Sequence, residues 1–324
     1  MNHSTLAKDS MNPQQLSVQR HSVATPSGSI SYVEQGTGPV ALFVHGVLMN
    51  SHLWRHQLAH LGHVRRCIAV DLLAHGHTEI APTQDVSATA NAEMLVQFID
   101  ALKIDRVDLV GNDSGGGIAL IFAALYPARV RSLTLTDCDT HDNWPPEAFK
   151  PFLAMAKAGG LPGALQKMHS DKAFYRSPAA LGPAYERPGA LPDDAIDAYL
   201  EPLLAPPQRV RDLERFLAAF DCRHTVAVES QLKTLQAPTL IVWGTDDARA
   251  RRPRDARPRC PATPARAGGR AAQARRGVDR ALSALLGAEI YRPGQLPERH
   301  AEEGEEACSE TLAWPRSPGS PRSS

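Results

Sequence analysis

Residues 106–126 read RVDLVGNDSGGGIALIFAALY, and no other stretch limits the fold of this chain as strongly. Val107-Asp108-Leu109-Val110 has the length and apolar character of a short buried strand. Gly111-Asn112-Asp113-Ser114-Gly115-Gly116 then crowd into a turn, and an Ala/Leu/Ile run with helical spacing follows. Strand, sharp glycine turn and helix form the backbone setting of a nucleophile elbow. In that setting the reactive residue sits in strained backbone at the tip, and small residues two places to either side let strand and helix approach. On the pattern G-x-Nu-x-G-G, Gly111 and Gly115 bracket Asp113, so a carboxylate holds the nucleophile position and Ser114 follows it. Taking Ser114 as the nucleophile instead puts Asn112 where a small residue is needed. The plain alternative is a glycine turn feeding a core helix, with no chemistry.

The rest of the chain supplies a setting for that turn. Residues 17–24 and 29–34, separated by Thr25-Pro26-Ser27-Gly28, read as a hairpin. A fully apolar strand follows at residues 40–44 and runs into His45-Gly46-Val47. Residues 51–63 read as a helix, and 64–70 as a strand ending at Asp71 with a loop over 72–78. An amphipathic helix spans 88–102, and residues 130–136 form the strand after the elbow, ending in Asp137-Cys138-Asp139. Alternating strands and helices imply a largely parallel sheet with right-handed crossovers. In such sheets, sites form at the C-terminal strand ends. His45, Asp71, Asp113 and Asp137 fall there together. From residue 141 to 235 the strand pattern gives way to proline-punctuated helical segments, clearest at 145–158, 193–204 and 209–220, which read as a lid. An apolar strand at 239–243 then enters Gly244-Thr245-Asp246-Asp247.

Charge narrows the function classes. The chain is neutral overall, but after Asp247 there are 15 Arg, no Lys and 9 acids, leaving 20 basic and 26 acidic residues before it. An acidic main body gives no electrostatic case for nucleic acid. No apolar run reaches transmembrane length. Five scattered cysteines without Cys-x-x-Cys spacing read as free thiols of a reducing, cytoplasmic compartment, not as a disulfide or zinc framework. The expected partner is a small-molecule substrate, with no cofactor and no metal.

The order His-Gly loop, elbow, lid, strand and acid resembles the α/β-hydrolase superfamily over residues 29–247. The resemblance implies an α/β-hydrolase fold: a mostly parallel central sheet flanked by helices, with a helical lid. It also implies an oxyanion hole from two backbone N–H groups, carried here by Val47 and Ser114, and an acid at Asp247 or, from the preceding strand end, Asp137. An Asp at the nucleophile position resembles the haloalkane dehalogenases and epoxide hydrolases. Their carboxylate attacks a saturated carbon to give an alkyl-enzyme ester, which a His-activated water hydrolyses. The chain departs from both subfamilies. Ser114 stands where dehalogenases place Trp, Val47 where they place Asn, and Leu48 where epoxide hydrolases place Pro. Tyr175, Tyr185 and Tyr199 are available as the acids that epoxide opening needs. A carboxylesterase-like hydrolase using Ser114 is the runner-up, and a catalytically impaired α/β-hydrolase-fold protein is the third reading.

That third reading comes from the C-terminal part. Residues 248–280 carry 11 Arg among Ala, Pro and Gly, and read as a disordered basic insertion or as a GC-rich gene translated out of frame. Residues 281–314 resemble a last strand and helix of the core, and 315–324 form a tail. His300, the one His after Asp247, is the candidate base, although its loop lacks the family's Gly-His pair. The expected organisation is a flexible N-terminus at 1–16, core at 17–140, lid at 141–235, and core strand with acid turn at 236–247.

Overall fold

The strand, turn and helix expected around Asp113 form β5 (Val107–Asp113) and α3 (Ser114–Leu125), with β5 an interior strand of a seven-stranded sheet. The computed structural model describes residues 20–138, 141–185 and 187–242. The sheet adds β1 (Arg20–Thr25), β2 (Gly28–Gln35), β3 (Val40–Val44), β4 (Arg66–Val70), β6 (Val130–Cys138) and β7 (Thr239–Val242), in the spatial order β1-β2-β4-β3-β5-β6-β7. β1 and β2 are antiparallel, as are β2 and β4, and every pairing from β4 to β7 is parallel. Parallel strands covered on both faces read as continuous apolar runs, which is why Val40-Ala41-Leu42-Phe43-Val44 and all of β5 are buried.

Strand order fixes where a site can form. From β3 the chain crosses to β4 on one side, then returns to place β5 on the other. The crevice beyond the carboxyl ends of β3 and β5 is therefore the topological switch point, where open α/β sheets bind ligands. β3 delivers His45-Gly46-Val47 to that crevice, and β5 delivers Asp113.

The helices have local causes. α2 (Ala88–Ala101) starts where the Ser87 side chain accepts from the Ala90 N–H, capping a free end. The stretch expected as one helix from 51 to 63 divides into a 3₁₀ turn, Ser51–Trp54, capped by Asn50, and α1 (Arg55–Leu61). β6 runs two residues past the expected end at Thr136, so Asp137 lies within the strand and not in the loop after it.

Between β6 and β7 lie α4 (Lys150–Lys157), α5 (Leu161–Ser170), α6 (Asp193–Leu204) and α7 (Gln208–Ala218), with several single turns. In α6, Ala195, Ile196, Tyr199, Leu200 and Leu203 form one buried stripe, and in α7 Val210, Leu213, Phe216 and Leu217 do the same. The insertion meets the loops after β3 and β4. Phe216 lies edge-on to His75 at 4.5 Å, and Asn50 Nδ2 donates to Ala198 O at 2.7 Å.

Candidate active site

Asp113 is the hinge between β5 and α3, and its backbone stands at φ 53°, ψ −132°. That is a sparsely populated conformation for a residue with a side chain, costing about 1–3 kcal/mol, and it persists only where the surroundings over-determine it. Here the surroundings are glycines. A Cβ on Gly46 would lie 2.2 Å from Asp113 Oδ2, and one on Gly115 would lie 2.2 Å from His45 O. At Gly116 it would meet Cys138 Cβ at 2.2 Å, and at Gly111 it would meet Gly115 O at 2.8 Å. Gly111, Gly115 and Gly116, read from the sequence as the small residues of the turn, thus have identified partners, and the structure adds Gly46 from the loop after β3.

A hydrogen bond joins the two sides of the crevice. The Val47 N–H donates to Asp113 Oδ2 at 3.0 Å. Ser114 opens α3, so its N–H belongs to the first turn, where amides have no acceptor inside the helix. Its side chain is fully buried, and Ser114 Oγ has no hydrogen-bond partner among the described residues. Asn112, before the elbow, turns into the sheet and donates to Thr136 O and Oγ1. Asp137 sits beside the crevice on β6, 9% exposed, with φ at 41°. Asp113 is equally enclosed at 9% exposure. Asp247 and His300 lie outside the described residues.

Two histidines near the crevice have their ring nitrogens engaged. His45 Nε2 accepts from the Leu72 N–H at 3.0 Å, which leaves Nδ1 to donate to Gly46 O at 2.8 Å. Burial lowers its pKa, against the opposing pull of Asp71 and of Gly46 O. His75 repeats the device: Nε2 accepts from the Leu48 N–H and Nδ1 donates to Leu73 O. Burial pulls His75 down to about 3. Both are neutral loop braces whose nitrogens are occupied, so neither is placed to take a proton from water.

Asp71, grouped by sequence with the crevice edge, has a structural role instead. Its Oδ1 accepts from the Ser51 N–H at 2.7 Å, and its Oδ2 accepts from the His77 N–H and from Arg20 at 2.6 Å. Burial alone would raise its pKa; Arg20 and those backbone donors overcome this, and the net shift is downward. Arg20 lies 51 residues away on β1, so no local pattern announces the pair.

Sequence reasoning named Tyr175 and Tyr185 without linking them. Their hydroxyls lie 2.9 Å apart, and Tyr185 Oη approaches Met49 Sδ at 4.0 Å, in the loop that carries Val47. Tyr199 Oη accepts from Arg55 at 3.3 Å.

The sequence profile of the alpha/beta hydrolase fold matches residues 39–252, most of the chain. The chain belongs to the α/β-hydrolase fold family. Within the family, it is 33% identical over 194 residues to a haloalkane dehalogenase of Mesorhizobium japonicum, covering 59% of this chain and 61% of that one. It is 43% identical over 101 residues to epoxide hydrolase 3 of Siraitia grosvenorii, covering 30% of this chain and 32% of that one. The match therefore spans less than two thirds of either relative. Among solved α/β-hydrolase folds, the epoxide hydrolase CorEH without ligand superposes with a TM-score of 0.57 at 21% identity, covering 70% of this chain and 82% of that one. Among the described residues, no helix is long and apolar enough to cross a membrane.

Proposed function

We propose that this α/β-hydrolase is an Asp-nucleophile enzyme that opens a small, mostly apolar substrate at a saturated carbon bearing a halogen or an epoxide oxygen. One observation carries the reading: Asp113 holds the strained backbone of the elbow tip while its Oδ2 receives the Val47 N–H. The Val47 bond marks Oδ2 as the oxygen that an oxyanion hole would serve. Oδ1 attacks the carbon, and the carbon–halogen or carbon–oxygen bond breaks with its electron pair. Oδ2 becomes the carbonyl oxygen of the alkyl-enzyme ester. When water attacks that carbonyl, negative charge develops on Oδ2, where the Val47 and Ser114 N–H groups stabilise it. The resemblance assigns activation of that water to His300, oriented by Asp247 or Asp137. The helices between β6 and β7 serve as the lid. The haloalkane dehalogenase and epoxide hydrolase relatives support the chemistry as a class.

Within that class, the tyrosine pair favours epoxides. Opening an epoxide leaves an alkoxide that needs a proton, and Tyr175 and Tyr185 already share one hydrogen bond beside the Val47 loop. A halide needs no proton. The serine reading loses support because Ser114 Oγ is fully buried and has no hydrogen-bond partner among the described residues.

The test is intact-protein mass after incubation with terminal epoxides and, separately, with haloalkanes. Asp113 should gain the mass of the alkyl group, and Asp113→Asn should gain none, with turnover down at least about 10³-fold. An adduct that survives Asp113→Asn, or fluorophosphonate labelling of Ser114, would overturn the assignment.

A further inference from the structure

A second cluster of ligating side chains lies on the outer side of the helical insertion. His169 stands in the last turn of α5, while Asp197 and Glu201 lie four residues apart on one face of α6. His169 Nε2 is 3.2 Å from Asp197 Oδ1 and 3.7 Å from Glu201 Oε1, and the three ligand atoms all lie within 4.8 Å of one another. A tetrahedral ion bound at about 2.0–2.1 Å by nitrogen and oxygen has ligand atoms about 3.3 Å apart. Two of the three edges are therefore close to that spacing with His169 held as it is.

We infer that His169, Asp197 and Glu201 form a binding site for a borderline transition-metal ion such as Zn²⁺, clamping α5 to α6. One imidazole with two carboxylates selects this class over Mg²⁺ and Ca²⁺, which take oxygen donors. His169 and Asp197 are half-buried and Glu201 is exposed, so the ion has an entry path and water can complete its coordination. The competing group is Lys172, whose Nζ pairs with Asp197 Oδ1 and donates to His169 O. The lysine stem is flexible, so its ammonium can swing aside when an ion takes its place. The site bears on the crevice through α6, because its Ala198 carbonyl holds Asn50 in the loop after Val47. It does not depend on the role given to Asp113.

Calorimetric titration of the full-length protein with Zn²⁺ should show one site and a rise in melting temperature. Co²⁺ in its place should show the visible bands of a four-coordinate ion. His169→Ala and the shape-conserving Glu201→Gln should each weaken Zn²⁺ binding at least about tenfold, the scale of losing even an outer-shell contact. Lys172→Met should tighten it, whereas a plain ion-pair network predicts only lower stability for that variant. Absence of Zn²⁺ binding, binding indifferent to His169→Ala and Glu201→Gln, or weaker binding in Lys172→Met would each overturn the proposal.

Discussion

Asp113 adopts its backbone conformation because four neighbouring positions have no side chain, and that dependence can be measured. Gly115→Ala places a methyl 2.2 Å from the His45 carbonyl, and the obstacle is backbone, which cannot rotate away. Destabilisation of about 1–3 kcal/mol or more is expected in urea unfolding, the scale of forced overpacking. Gly163 provides the control, because nothing lies within 4 Å of its added Cβ. It sits in the first turn of α5, where Ala loses less backbone entropy on folding. Gly163→Ala should therefore stabilise the protein by about 0.4–1 kcal/mol. If both variants shift the midpoint in the same direction, crowding is not what distinguishes the two glycines.

At the scale of elements, Asp71 joins the ends of several segments. β1 reaches it through Arg20, the 3₁₀ turn Ser51–Trp54 through the Ser51 N–H, and the loop after β4 through the His77 N–H. Asp71→Ala removes the acceptor for all three and leaves two backbone donors and a guanidinium without it. Removing one partner of a buried pair costs about 3–5 kcal/mol. Arg20 is 18% exposed and can recover some water, so the loss should fall toward the lower end of that range. Native-state hydrogen exchange in Asp71→Ala should show β1 and the loop after β4 opening first. Uniform loss of protection over the whole sheet would argue that the knot does not hold these segments.

For the whole molecule, the pH dependence of stability follows from its buried histidines. Burial lowers His75 to about 3 and His52 to about 2, and lowers His45 as well. Unfolded histidines titrate near 6.5. Between about pH 6.5 and 3 the unfolded chain therefore binds protons that the folded chain refuses. The stabilisation is fully present above 6.5 and is lost as pH falls, at up to about 1.4 kcal/mol per pH unit for each histidine. Asp71, depressed in the folded state, adds a loss in the same direction at lower pH, below its unfolded value near 3.9. His75→Gln keeps an acceptor for the Leu48 N–H and should reduce the slope between pH 6 and 4 by about one proton, measured by urea midpoints across pH. An unchanged slope would mean that His75 is not held neutral by burial.

By itself, the sequence determined the alternation of strands and helices, the parallel core and the strand-turn-helix at Asp113. These follow from periodicity and from glycine spacing, which act over a few residues. It also supplied the residue type at the elbow tip, and with it the class of chemistry proposed. The tertiary structure decided which residues meet. Val47 reaches Asp113 across 66 positions, Arg20 reaches Asp71 across 51, and the Tyr175–Tyr185 pair faces Met49 across the insertion. Strand order sets those encounters, and strand order depends on how the whole sheet closes its core, which no local pattern encodes. The same closure gave Asp71, read from the sequence as one of four polar residues at strand ends, three donors to accept from, and placed Asp137 within β6. His169 was joined to Asp197 and Glu201 in the same way: the i, i+4 pair is legible on one helix, and the third ligand arrives only when α5 packs against it.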